Sequence, residues 1–176
     1  MFVTRPDGDH EVPEPETTMA HLDAYLFFDG TCAEAMRFYA RIFDGKLEML
    51  QTYAESPASS DVAPDRAQRI MHARLVIDGR ALLASDAISE DPFEGIRGFS
   101  LSMNYDSVDE AQRVFTELSD GGTVQMPLQQ TFWAQAFGML VDRYGTPWMV
   151  NVNAAGQDDA SNGKGRAAEP AGSERR

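Results

Sequence analysis

The sequence predicts an α+β fold made of two tandem strand–helix–strand–strand–strand modules. Two observations predict it. The chain repeats itself: residues 34–45 align with residues 110–121, with Glu34/Glu110, Ala35/Ala111, Arg37/Arg113, Asp44/Asp120 and Gly45/Gly121 recurring in place. With one residue added in the second copy, Met49 falls on Met126. Each copy also ends in a strand–turn–strand centred on a glycine, Gly79 in residues 76–83 and Gly145 in residues 142–149. A repeat that carries a helix and several strands is a duplicated module, because a solenoid array needs at least three copies. Two such half-folds must bury their apolar sheet faces against each other or around a ligand.

The elements follow in order. Residues 22–28 are an apolar run rich in aromatics, which favour strands. Asp29-Gly30-Thr31 is turn chemistry, and Thr31 is placed to cap the helix that follows. Ala35, Phe38, Tyr39 and Ile42 recur at helical spacing until Asp44-Gly45 stops the helix. Residues 46–53 read as an extended strand. Residues 54–67 are a Ser-, Pro-, Ala- and Asp-rich loop long enough to suggest a lid. Residues 69–77 and 80–86 pair across Asp78-Gly79, a hairpin dipeptide.

The second module repeats the plan. Residues 98–105 form a strand with Ser100, Ser102 and Asn104 on one face and Phe99, Leu101 and Met103 on the other. The helix spans Val108 to Leu118. A short strand, Val124 to Pro127, leads into a loop through Gln129-Gln130-Thr131. Residues 136–142 and 147–152 form the last hairpin. A helix crossing between parallel strands, followed by antiparallel hairpins, gives a mixed sheet.

Composition bounds the function. The chain of 176 residues carries a formal charge of −13. Residues 1–20, with one Arg against five acids, contribute −4, and residues 154–176 contribute zero, leaving about −9 on the middle. A body without a basic stripe is a poor partner for nucleic acid or an anionic membrane surface. No apolar run approaches the roughly 20 residues of a membrane span. The acidic, Pro-rich start does not read as a secretory signal. A single Cys, Cys32, rules out an internal disulfide and fits a cytoplasmic location. It begins a helix and reads as small apolar filler. Residues 1–20 and 154–176 are expected to be a disordered arm and tail, since their composition offers little to bury.

The chain carries Tyr25-Leu26-Phe27-Phe28-Asp29-Gly30 with Glu34-Ala35 and Phe38-Tyr39, Met71-His72-Ala73, Ala84-Ser85-Asp86, residues 131–139, Asp142-Arg143-Tyr144-Gly145 and Trp148-Met149-Val150-Asn151. In that order these stretches resemble the PhnB-like branch of the vicinal oxygen chelate superfamily, which includes glyoxalase I, bleomycin-resistance proteins and extradiol dioxygenases. The resemblance covers residues 21–153. It implies two βαβββ modules, about 21–88 and 98–153, each curling its mixed sheet into a cup. It also implies a homodimer.

The superfamily's usual chemistry places a divalent metal in the cup, held by His or Gln on the first strand and Glu on the last strand of each module. Here the last-strand slots fall near Leu83 and Met149, which offer no oxygen or nitrogen donor. The first-strand slots fall around Leu22–Ala24, with His21 and Asp23 nearby, and around residues 98–100, with only Ser100. Three or four ligands are needed, so the usual metal site is expected to be missing and no metal ligand is assigned. A divalent metal would need an unusual site.

Other groups then carry the expectation. His72 stands two residues before Arg74 on one strand face, and its counterpart in the second copy is Gly138. It could serve as a general base, a substrate hydrogen-bonder or a lone ligand, or simply bond a neighbour at the sheet edge. Asp86 reads as a helix or turn cap or a pocket acid, and Asn151 occupies the position of Ser85. Trp133, Phe137 and Trp148, with Phe132 beside them, concentrate aromatic surface that can be core or pocket. Gln129, Thr131 and Gln135 interleave with them, and an apolar cup with a few placed polar groups suits a small molecule. Gln51, Tyr53 and Asn104 are expected to line the same cavity.

No dinucleotide, P-loop, nucleophile-elbow or H-E-x-x-H motif is present. Members of the branch are sometimes labelled ubiquinone-precursor methyltransferases, but no glycine-rich adenosylmethionine loop is evident. Three functions remain: a small-molecule binder of the bleomycin-resistance kind; a metal-dependent or metal-free lyase, isomerase or dioxygenase-type enzyme using His72; or a structural or regulatory module with a filled pocket.

Overall fold

The computed structural model describes residues 22–57, 59–89 and 92–154. His21 and the expected arm and tail lie outside the described residues, apart from Ala154.

Each module is a four-stranded mixed sheet with one helix. The first contains β1 (Ala24–Phe28), α1 (Cys32–Ile42), β2 (Lys46–Thr52), β3 (Ile70–Ile77) and β4 (Arg80–Asp86). The second contains β5 (Leu101–Tyr105), α2 (Val108–Ser119), β6 (Thr123–Gln129), β7 (Ala134–Val141) and β8 (Pro147–Asn153). The strand orders match, β1-β4-β3-β2 and β5-β8-β7-β6. The first and last strands of each module are parallel and the other pairs antiparallel. Register shifts interrupt β2 and β6, and such bulges bend an edge strand and help curl the sheet.

Some boundaries differ from expectation. β6 runs on through Gln129 instead of ending at Pro127. β5 starts only at Leu101, after Gly98 at φ +82°. The loop after β2 holds two short 3-10 turns and is strapped down rather than free. Arg66 Nη1 donates to the Ile88 carbonyl at 2.5 Å, and Ala54 N to the Ala67 carbonyl at 2.8 Å.

The helix caps also differ. Thr31 makes no side-chain cap bond. Instead Asp86, buried at the end of β4, accepts Cys32 N at 3.0 Å and Ile70 N at 2.8 Å. It closes the first turn of α1 and the start of β3 together, so it is a cap and not a pocket acid. Burial, then the Asp86 charge, pushes the Cys32 thiol well above its ordinary pKa. Ser107 caps α2 more loosely, accepting Glu110 N at 3.5 Å.

The repeat shifts where α2 gains a residue. After α1, Asp44 takes positive φ and Gly45 approaches the Val76 carbonyl closely; after α2, Gly121 and Gly122 take those roles. A Cβ on Gly122 would lie 2.4 Å from the Val141 carbonyl oxygen. The hairpins differ too: Ile77 pairs with Arg80, whereas Val141 pairs with Pro147.

Strand alternation sorts the sheets into two faces. One face carries Leu26, Phe28, Ala73, Leu75, Leu82 and Ala84 in module one and Ala136, Leu140, Trp148, Val150 and Val152 in module two. These pack with the buried faces of α1 and α2 into one core shared by both modules. The helices join them. Tyr39 of α1 and Phe43 just after it meet the Trp148 ring at centroid distances of 5.2 and 5.1 Å, and Phe38 meets Tyr144 at 5.6 Å. Arg113 of α2 donates to the Ile42 carbonyl at 3.3 Å. With the helix sides turned inward, the other face of each sheet points away from the partner module.

Candidate functional site

The outward faces are the cups, and they differ chemically. In module one, Tyr25 and Phe27 of β1 stand beside Leu83 and Ser85 of β4. Arg74 pairs with Leu83 on β4 and Met49 on β2, and Gln51 pairs with His72. Tyr25 Oη lies 3.2 Å from His72 Nδ1, with the rings 5.9 Å apart, so the hydroxyl donates when Nδ1 is unprotonated. Phe27 lies 5.1 Å from Tyr25. Glu48 accepts from Arg74 Nε at 3.2 Å and Lys46 Nζ at 3.4 Å, and these bonds hold its carboxyl below the usual range. Gln51 donates to the Glu55 carbonyl at 3.4 Å. Tyr53 follows β2, its phenol raised by burial and then by Tyr25 and Asp86. A crevice of about 170 Å³ runs from Tyr25 and Phe27 to Phe93, Ile96, Arg97 and Phe99.

In module two, Asn104 pairs with Asn151, Ser102 with Met149, Phe137 with Asn151 and Met139 with Met149. Asn151 Nδ2 donates to Asn104 Oδ1 at 3.1 Å and to Asn153 Oδ1 at 2.7 Å. Gln135 donates to the Asn153 carbonyl at 2.8 Å. Phe137 meets the half-exposed Trp133 edge-on at 5.8 Å, and Trp133 meets exposed Phe132 at 4.4 Å. Gln129 lies opposite Phe137 on β6.

Several expected site residues therefore stand on outward faces: Gln51 and His72 on one, and Asn104, Gln129, Phe137 and the adjoining Trp133 on the other. One chain does not bring the two sets together, because the faces belong to different sheets and both point away from the shared core. Trp148 does not line a cup. It is 2 % exposed, and its indole Nε1 donates to Asp142 at 2.8 Å on the helix side. Thr131 spends its hydroxyl on the turn, accepting Ala134 N at 3.1 Å. The counterpart of His72 is Phe137, not Gly138, because the longer second hairpin moves the register by one. Gly138 lies on the helix side, where a Cβ would clash with Phe115 at 2.6 Å. Sequence reasoning left Tyr25 and Asn153 out. The alternation of Asn151 and Asn153 in β8 was the signal for the latter, whereas Tyr25 meets His72 only through the sheet.

A family metal does not fit the slots. Leu83 sits between Tyr25 and Arg74, and Met149 between Ser102 and Met139. Neither carries a ligating oxygen or nitrogen, and among the described residues no three His, Cys, Asp or Glu gather into a metal-binding group.

This pair of curled βαβββ modules defines the class, a vicinal oxygen chelate fold of the PhnB-like branch. The chain belongs to the family described as 3-demethylubiquinone-9 3-methyltransferase, whose model matches residues 20–151. It is 34% identical over 141 residues to Protein YjdN of Escherichia coli (strain K12), covering 74% of this chain and 94% of that one. It is 46% identical to the crystal structure of protein PA1353 from Pseudomonas aeruginosa, with a TM-score of 0.72 and coverage of 77% and 98%. A protein from Bacillus cereus titled putative 3-demethylubiquinone-9 3-methyltransferase, PhnB protein, is 26% identical, with a TM-score of 0.66 and coverage of 76% and 99%. Among the described residues no helix is long and apolar enough to cross a membrane.

Proposed function

We propose that this chain binds a small molecule in its cups, and that a second copy closes them by setting one module's face against the other's. The observation that carries this reading is the outward pair of faces. Each mixes half-exposed apolar side chains with a few polar groups, the lining a small-molecule site uses. Neither last-strand slot offers a metal donor, so the reading needs no metal. The single buried Cys32 and the acidic body fit a cytoplasmic binder without nucleic-acid or membrane partners.

The two tryptophans give the test. Trp133 is 44% exposed and Trp148 is 2%, so ligand entry should change the emission of Trp133 and leave that of Trp148. A compound library is screened by fluorescence, with Trp133→Phe as control and sedimentation equilibrium for the mass. Saturable changes lost in Trp133→Phe, on a particle of dimer mass, support the reading. A monomer, or no saturable response, sinks it. Metal content and melts against Ni, Zn, Mn, Mg and Fe(II) run alongside, and a stoichiometric ion with a raised melt would restore metal chemistry.

A second reading, a metal-free enzyme acting beside a carbonyl, draws on the Tyr25–His72 pair. His72→Ala separates the two: a binder keeps most of its affinity and a catalyst loses turnover. The filled-pocket module draws no support from the tryptophans, since Trp148 is in the core and Trp133 on the rim.

A further inference from the structure

From the three linked asparagines on the outward face of module two, we infer that this cup selects an uncharged ligand bearing an amide, lactam or urea group on a planar ring. The inference rests on the binding reading above and names its ligand class.

Hydrogen-bond accounting carries it. An Asn side chain offers two donors and one acceptor with two lone pairs. Asn151 spends both amide hydrogens, on Asn104 Oδ1 and Asn153 Oδ1. Among the described residues its own Oδ1 accepts nothing, and neither Asn104 nor Asn153 donates from its side-chain amide. The array therefore presents two amide donors and one carbonyl acceptor. A ligand with a carbonyl oxygen and an N–H meets both kinds of group. A carboxylate supplies no donor for Asn151, and an ammonium no acceptor for the flanking amides.

Charge points the same way. The strand residues of this face, from Ser102 and Asn104 across Asn151 and Phe137 to Gln129, include no Asp, Glu, Lys, Arg or His. A charged ligand would lose water without gaining a counterion, which is costly. Phe137 and Trp133, edge to face at 5.8 Å, provide an aromatic wall for a flat ring. Module one keeps the related Gln51 but contrasts elsewhere. Phe27 and Ser85 pair where Asn104 and Asn151 do, and Arg74, Glu48 and Lys46 bring full charges.

The test titrates the full chain calorimetrically with 2-naphthamide, 2-naphthoate and 2-naphthylmethylamine, which share a ring and differ in the polar group. Naphthamide should bind about tenfold tighter than either ion, since a site built to hydrogen-bond a group rejects analogues lacking it. Asn151→Leu and, independently, Asn104→Leu should remove most of that advantage while the melt shows each variant folded. Equal or tighter binding of either ion, or unchanged naphthamide affinity in both variants, overturns the inference and leaves the binding reading standing. If none of the three binds below about 1 mM, the inference falls. The binding reading falls with it only if the fluorescence screen is also silent.

Discussion

Tyr39 Oη donates to the Asp142 carboxylate at 2.6 Å, joining the helix of the first module to the hairpin of the second across 103 positions. The same hydroxyl meets Thr146 Oγ1 at 2.9 Å. Asp142 also accepts the Trp148 indole at 2.8 Å and the backbone N–H groups of Tyr144 and Thr146 at 2.8 and 3.0 Å. Burial, and then the Asp142 charge, pushes the Tyr39 phenol far above its ordinary range, so it stays a donor.

Tyr39→Phe should therefore cost about 2–3 kcal/mol, because it removes a bond to a charged acceptor and leaves a buried carboxylate short of a donor. Denaturant unfolding followed by Trp148 fluorescence checks this. A loss below about 0.5 kcal/mol would mean that the joint does not depend on the bond.

Asp86→Ala should be as damaging, about 2–4 kcal/mol, since it orphans two buried N–H groups at once. Ser107→Ala should cost under about 0.5 kcal/mol, because its cap bond is long at 3.5 Å. Parallel urea titrations of the two variants compare a cap shared by two elements with a weak cap on one.

Tyr105 has a buried hydroxyl oxygen with no hydrogen-bond partner among the described residues. Burial, and then the Glu110 charge, pushes its pKa up to about 12. Tyr105→Phe should be neutral or stabilise by up to about 1 kcal/mol, since the desolvated hydroxyl costs more than it returns. A lowered melting temperature would reveal a partner for the hydroxyl.

Glu48 gives a pH dependence. Arg74, then Lys46, lower its folded pKa. A depressed carboxylate pKa gives stability that is full above the unfolded value, about 4.3, and lost as pH falls through the folded value. Wild type should melt slightly above Glu48→Gln at pH 7 and level with it near pH 3. Added salt should shrink the gap, because both partners are exposed. A gap that grows as pH falls would reverse the sign and refute the assignment.

The helices and the duplication were legible because α1 and α2 place apolar residues at one spacing, Ala35 with Tyr39 and Ala111 with Phe115. The cup lining was only partly legible. Val150 and Val152 alternate with Asn151 and Asn153 in Pro147–Asn153, a parity that puts Trp148 on the apolar side, but an indole suits a core and a pocket wall equally. The Trp148 indole settles it by reaching Asp142. Asn104 could be placed because β5 alternates plainly, whereas β7 is mostly small or apolar on both faces and Phe137 stands out there only as an aromatic. Tyr25 and His72 are 47 positions apart and meet only because β1 lies parallel to β4 while β3 flanks β4 on the other side. No local spacing encodes that neighbourhood. The Gly138 assignment failed for a related reason: counting from the hairpin glycine ignores the length of the turn.

The two extra residues of the second copy lie where strand parity is not read: one at the end of α2 and one in the turn from Asp142 to Thr146. An odd insertion inside β7 or β8 would exchange Trp148 and Val150 for Met149 and Asn151, turning the core out and the cup in. The copies have thus been free to diverge in length only at their punctuation. A foreign loop grafted at Gly79, where the backbone already takes positive φ and a side chain would meet open space, should leave both the interior and the amide-lined face intact.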